Sequence, residues 1–142
     1  KTYDQQIRTD KIHWIDNTSK NIHELELLDI IEEFIGYMNN TCYTGINAYE
    51  FHYALYETGS FYKRHLDQFR NNTGRKFSFI TYLNEDWTEA NGGQLAVYPG
   101  GEKGLILPVG GTSVLFKSDE LEHEVIPANR ARMSITGWLK TV

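Results

Sequence analysis

His65-Leu-Asp67 places an imidazole and a carboxylate two residues apart. In extended backbone, residues i and i+2 project from the same face, so both side chains can bite one metal ion. A second imidazole, His123, stands in Glu122-His123-Glu124-Val125, beyond a strand-like run that ends at Lys117. Two imidazoles and one carboxylate on one side of a metal leave three adjacent positions open, as non-haem Fe(II) centres require to hold a co-substrate and oxygen side by side. His-x-Asp alone occurs by chance in many proteins, and its plain reading is a surface histidine near a carboxylate. Arg132, nine residues past His123, changes the balance. In Arg132-Met-Ser134-Ile-Thr136-Gly-Trp138, strand alternation puts Arg132, Ser134, Thr136 and Trp138 on one face, with Met133, Ile135 and Leu139 on the other. An inward arginine is costly unless an anion meets it. A planar guanidinium suits a carboxylate bidentately, and the Ser134 hydroxyl can share the load. The alternative is an ion pair between Arg132 and an internal Asp or Glu.

These residues need a scaffold, and the chain has the size for one. Its 142 residues fit a single domain covering 1–142. Such a chain buries roughly 68–70% of its unfolded surface without needing disulfides. Hydrophobic residues make up 40% and charged residues 23%, an ordinary globular balance, while 9 Tyr, 7 Phe and 3 Trp lean toward β-structure. Residues 1–20 read as a mobile arm followed by a strand around Ile12, Trp14 and Ile15. Residues 21–40 read as a support helix: Ile22, Leu25, Leu28, Ile31, Ile35 and Met38 recur at steps of three and four, with Ser19 as N-cap and Asn39-Asn40 as the stop. Residues 45–142 form the β-rich core. Its strand-like runs are Ala48–Glu57, Phe77–Leu83, Gln94–Tyr98, Leu105–Val109, Thr112–Lys117 and Arg132–Leu139, punctuated by Glu57-Thr-Gly59, Asn71-Asn-Thr-Gly74, Asn91-Gly-Gly93, Pro99-Gly-Gly101 and Gly110-Gly111. The connections are too short for parallel crossovers, which points to a mainly β sandwich or barrel with helix packed outside.

The residues quoted so far, together with Ile7-Arg-Thr-Asp-Lys-Ile-His-Trp14-Ile, Tyr56…Gly59…Tyr62-Lys-Arg-His65-Leu-Asp67, Ile80-Thr-Tyr82-Leu-Asn84-Glu-Asp-Trp87 and Gly92-Gly93-Gln-Leu95, run in the same order in a known family. The chain resembles the Fe(II)/2-oxoglutarate dioxygenases, and within them the prolyl hydroxylases, especially the oxygen-sensing animal enzymes and their bacterial relatives. The resemblance implies a double-stranded β-helix, a cupin-like jelly roll with the N-terminal helix packed on one sheet. It implies Fe(II) held by His65, Asp67 and His123, with 2-oxoglutarate and O2 as co-substrates and ascorbate as an accessory reductant. Arg132 and the Tyr82 hydroxyl would anchor the far carboxylate of 2-oxoglutarate. Tyr56 would meet its iron-proximal end, although its spacing to His65 is one residue shorter than the family's. Thr136 and Leu95 would line the pocket. Arg75 and Trp138 would shape a peptide-binding mouth, with Tyr62 beside the reacting carbon. Asp10 matches an acidic residue able to pair with Arg75 as a lid contact. The implied reaction is hydroxylation of a prolyl residue in a protein, with a translation factor such as elongation factor Tu the first candidate, while 2-oxoglutarate is converted to succinate and CO2.

Other readings stay open at this level. One is an oxygenase of the same superfamily acting on a free amino acid, a small metabolite or a nucleobase. Another is a non-catalytic metal-binding barrel, or a hydrolase holding zinc through the same triad. The net charge of −5 and the lack of a basic stripe argue against nucleic acid as a partner. No apolar run is long enough to span a bilayer. Cys42 is alone, so an internal disulfide is impossible; a buried small side chain and a cytoplasmic, monomeric protein are expected. Trp14 and Trp87 are expected to pack, and His13, His23 and His52 to be surface or satisfied histidines.

Overall fold

The computed structural model describes residues 7–68 and 73–142. The arm expected at the start of the chain and the Asn71-Asn72 half of the Asn71–Gly74 turn lie outside them. After strand β1 (Lys11–Ile15) comes helix α1 (Ile22–Cys42). Strands β2 (Ala48–Tyr56), β3 (Tyr62–His65), β4 (Arg75–Tyr82), β5 (Leu95–Val97), β6 (Gly104–Ile106), β7 (Ser113–Lys117), β8 (His123–Val125) and β9 (Arg132–Lys140) follow. The strands form two sheets, a larger one in the order β1-β2-β9-β4-β7 and a smaller one in the order β3-β8-β5-β6. Every pairing is antiparallel. From β4 onward the chain passes repeatedly between the sheets, so residues far apart in sequence meet across the space between them. This is the expected double-stranded β-helix.

Alternation along β2, β4 and β9 sends one set of side chains between the sheets and the other outward. The inner set, with Ala54, Tyr56, Ile80, Tyr82, Leu95, Val97, Phe116 and Val125, forms the core that surrounds the functional cavity. The outer set, with Phe51 and Leu139, packs under α1 against Leu28, Ile31 and Met38. No described helix is long and apolar enough to cross a membrane.

The helix differs from expectation at both ends. Asn21, not Ser19, is the N-cap, and its side chain accepts from the His23 N–H at 2.9 Å. Ser19 instead braces that cap: its hydroxyl accepts from the Asn21 N–H at 3.1 Å and donates to Glu24 at 2.7 Å. At the far end Asn39 does not stop the helix. Its side chain bonds both the N–H and the C=O of Ile46 and accepts from the Thr44 hydroxyl, so it secures the returning chain while its own backbone stays helical. The helix ends one turn later, at Tyr43 in the left-handed conformation. That extra turn carries Cys42, which is exposed rather than buried.

Gly137 sits between Phe51 and Phe79 in the larger sheet. A Cβ there would fall 2.2 Å from the buried Phe51 ring. Gly137→Ala is therefore expected to destabilise the fold by about 1–3 kcal/mol, the usual cost of overpacking a filled core. A lowered urea midpoint at unchanged slope would show it.

Candidate active site

The two histidines come together through strand pairing. His65 ends β3, His123 begins β8, and in the antiparallel register of these neighbours the two are direct partners, with ring centroids 4.3 Å apart. Asp67 lies two residues beyond β3, in a bend rather than in the extended strand that the spacing suggested. It still reaches both rings: each Nε2 is 3.2 Å from Asp67 Oδ1. The three donor groups lie within 4.8 Å of one another. Backbone carbonyls set the tautomers, because Nδ1 of His65 faces the Lys63 carbonyl at 2.6 Å and Nδ1 of His123 faces that of Leu121 at 3.0 Å. With Nδ1–H donating outward, each Nε2 presents a lone pair inward, as a metal ligand must. The donor set therefore fits a divalent first-row metal with positions left open.

Burial and partners act in opposition on this cluster. Burial alone would raise the Asp67 pKa, but hydrogen bonds and charge from His123 and His65 outweigh it and hold the carboxyl well below its usual range. Burial would lower the pKa of His123, yet its hydrogen bond to Asp67 and the carboxylate charge raise it above its ordinary 6.5. A metal must displace that proton, so affinity is expected to climb with pH through a midpoint above 6.5. The metal-free fold responds in the opposite sense at His123. The stability from its raised pKa is full below 6.5 and lost as pH rises through the folded value. Asp67, being depressed, contributes above 3.8 and loses its contribution only as pH falls through its lowered value. The stabilisation conferred by Co(II) should thus grow from about pH 6 to about pH 8, measured as the metal-dependent shift in Tm.

Arg132 opens β9 opposite Tyr56 on β2 and is 2% exposed. Its Nε donates to the Gly93 carbonyl at 2.7 Å, and its Nη2 lies 3.5 Å from the Tyr82 hydroxyl. The Tyr56 and Tyr82 rings flank the guanidinium with centroids about 5 Å away. Gly93 makes this approach possible: a Cβ would stand 2.9 Å from the Trp87 ring and 3.2 Å from Arg132 Cδ, on a backbone with φ +70°. Among the described residues no carboxylate lies within ion-pair distance of Arg132, which removes the internal Asp or Glu considered as its partner. A buried cation in this position suits a ligand carboxylate. Burial raises the pKa of both tyrosines against the opposing charge of Arg132, so their hydroxyls stay protonated. Leu95, Ser134 and Thr136 line the same cavity as the triad and Arg132.

Trp138 also lines this cavity, and the Arg75 guanidinium lies over its ring at 3.6 Å. Tyr62 stacks on His65 with centroids 3.6 Å apart and planes nearly parallel. One expected pairing is different. Asp10 is bound bidentately by Arg8, at 2.6 and 2.7 Å, while among the described residues Arg75 forms its ion pair with Glu50, at 2.8 Å. The reason is strand register: Glu50 sits opposite Trp138 and so falls beside Arg75, whereas Arg8 bridges to Tyr62 and carries Asp10 toward the smaller sheet. Arg8 itself lies 4.2 Å over the Tyr62 ring. His52, expected to be an ordinary histidine, is buried in the cavity wall between Trp14 and Trp138. Trp14 is half-exposed, with its ring edge-on to His52, while Trp87 is buried and donates to the Gly92 carbonyl at 2.9 Å. Alternation counted back from Tyr56 through Ala54, His52 and Glu50 places these side chains on the inner face, and that count alone could have found His52 and Glu50.

Residues 51–140 match the sequence family described as the 2OG-Fe(II) oxygenase superfamily. The chain is similar to a prolyl-4-hydroxylase structure from Pseudomonas putida, with 39% identity and a TM-score of 0.91 over 97% of this chain and 75% of that one. A Trichoplax adhaerens prolyl hydroxylase, solved with a peptide fragment of the hypoxia inducible factor oxygen degradation domain, gives 31% identity and a TM-score of 0.86 over 97% of this chain and 66% of that one. Among curated proteins, Egl nine homolog 1 of Rattus norvegicus is 34% identical over 94% of this chain, which spans 42% of that protein's length. With a His-Asp-His cluster in one β-helix cavity and an inward arginine that meets no carboxylate among the described residues, the chain belongs to the 2OG-Fe(II) oxygenase superfamily, with prolyl hydroxylases as its homologues.

Proposed function

We propose that this protein hydroxylates a prolyl residue of a protein or peptide at ring carbon 4, with Fe(II) as its metal and 2-oxoglutarate and O2 as co-substrates, releasing succinate and CO2. The observation that carries the reading is the layout of one cavity wall. Along β9 the inward residues run Arg132, Ser134, Thr136, Trp138, so a carboxylate anchor and an aromatic face stand at opposite ends of roughly 20 Å of strand, with the triad in the same cavity. The prolyl hydroxylase homologues, one of them solved with a peptide fragment, favour proline in a polypeptide over a free amino acid.

In this reading His65, Asp67 and His123 hold Fe(II), which supplies oxygen activation coupled to decarboxylation of the keto acid. Arg132 takes the far carboxylate of 2-oxoglutarate through its buried guanidinium, and the Tyr82 hydroxyl donates beside it. Tyr56, Leu95, Ser134 and Thr136 shape the space between anchor and metal, and fix the co-substrate's orientation. Tyr62 and Trp138 line the mouth where a prolyl ring would enter; Arg75 and Glu50 hold the Trp138 indole in place, and Arg8 and Asp10 do the same for Tyr62. Ascorbate as a reductant that keeps iron ferrous, a monomeric state and a cytoplasmic setting belong to the same proposal; the lone cysteine supports the last of these.

The test is incubation with Fe(II), 2-oxoglutarate, O2 and a panel of proline-containing proteins that includes elongation factor Tu, chosen for the likeness to a bacterial enzyme. A mass gain of one oxygen atom on a single proline, matched by succinate, is the expected result. Succinate release driven by free proline or another small molecule, with no oxygen gained by any polypeptide, would reassign the substrate. No visible charge-transfer band with anaerobic Fe(II) and 2-oxoglutarate, together with zinc-dependent activity, would sink the oxygenase itself.

A further inference from the structure

Two serines that the reaction does not use stand behind the metal cluster. Ser78 on β4 and Ser118, just past β7, are each 0% exposed. Ser78 Oγ is 2.6 Å from Asp67 Oδ2 and 2.9 Å from Ser118 Oγ. Oδ2 is the oxygen that does not face the histidines; Oδ1 faces both. The directions of these bonds follow from charge. A carboxylate that ligates a metal has no proton and can only accept, so Ser78 must give Oδ2 its single hydroxyl proton. Ser78 then has only lone pairs for Ser118, so Ser118 is the donor to Ser78. The result is a one-way chain, Ser118 to Ser78 to Asp67 Oδ2.

We infer that the Ser118–Ser78 chain holds Asp67 as a single-oxygen ligand. A carboxylate can bind a metal through one oxygen or two, and a second would take one of the three positions that the two co-substrates need. A short, charge-assisted hydrogen bond to Oδ2 both occupies that oxygen and fixes the carboxylate plane with Oδ1 toward the histidines. Ser78 and Ser118 are thus positioning residues. Backbone bonds brace them: the Ser118 carbonyl accepts from the N–H of Gln68, next to Asp67, and the Ser118 N–H donates to the Lys76 carbonyl on the strand that carries Ser78. The loop bearing Asp67 and the strand bearing Ser78 are therefore tied at one point.

This inference rests on the metal-site reading, and its test uses Co(II) as the probe, titrated into the metal-free protein and followed by visible d–d absorption. The intensity of those bands reports coordination number without any turnover. Ser78→Ala is expected to weaken Co(II) binding about tenfold, the lower end of the cost of losing an outer-shell partner. It should also move the bands toward the weaker intensity of higher coordination, as Oδ2 is released to the metal. Ser78→Thr, which keeps the hydroxyl, should restore the unsubstituted spectrum. Ser118→Ala should shift affinity and bands in the same direction by less, and it carries the test if Ser78→Ala does not fold. Unchanged bands and affinity in the folded alanine variants would overturn the inference, as would a lowered Tm with an unaltered spectrum, which marks a packing role only. A spectrum that Ser78→Thr fails to restore would also count against it. If the unsubstituted protein takes up no Co(II), the metal-site reading falls and this inference with it; binding by the unsubstituted protein with no response to the serines removes this inference alone.

Discussion

Alanine at His123 is expected to end succinate formation and to reduce metal affinity more than roughly 100-fold, beyond the cost of losing an outer-shell partner. His123 contributes one of three donor atoms, and Asp67 depends on it directly: its hydrogen bond is the largest of the influences that keep that carboxyl ionised despite burial. Without the ring, two donors remain, and the buried carboxylate loses a partner whose Nε2 lies 3.2 Å away. The measurement is a Co(II) or Fe(II) titration beside a succinate assay. Near-normal affinity with normal succinate yield would place the metal elsewhere. Because a buried carboxylate with fewer partners binds a proton more readily, the variant should also lose stability at a higher pH than the parent during acid titration.

Arg132→Ala tests the other end of the cavity and should behave differently. The triad is untouched, so Co(II) binding should persist, while the requirement for 2-oxoglutarate should rise by about 100-fold. That matches the loss of a buried, charge-assisted contact costing roughly 2–5 kcal/mol. If the anchor contributes binding more than chemistry, KM rises and kcat falls less. Arg132→Lys keeps the charge but not the planar pair of donors, and should fall between alanine and arginine. Its Nε bond to Gly93 and its place between the Tyr56 and Tyr82 rings make the geometry of the guanidinium as important as its charge. Equal, negligible effects of His123→Ala and Arg132→Ala would refute the site.

The face-by-face layout of β9 was legible because a strand has a period of two: Arg132, Ser134, Thr136 and Trp138 had to share a side. The apolar steps of α1 likewise marked its buried stripe, although not its ends. Those depend on which Asn or Ser side chain satisfies which backbone group, and Asn39 chose the loop rather than the stop. The bounds of the short strands β3 and β8 were not legible, because Tyr62–His65 and His123–Val125 carry polar residues and span only four and three positions. Their pairing is nonetheless what sets His65 opposite His123. Arg8 and Ser78 were missed for a related reason. Arg8 reaches the site through a bridge to Tyr62 that spans 54 positions, and a serine becomes informative only once the atom it donates to is known.

His65, Asp67, His123 and Arg132 therefore declared a chemistry from the sequence by itself, since residue type and local spacing limit which atoms can bind a metal or an anion. Which partner satisfies which charge was decided by the tertiary structure alone: Asp10 pairs with Arg8, Glu50 with Arg75, and Ser78 donates to Asp67. Spacing along a chain is a local property, whereas a buried charge is satisfied by whatever the packing of two sheets brings within about 3 Å of it.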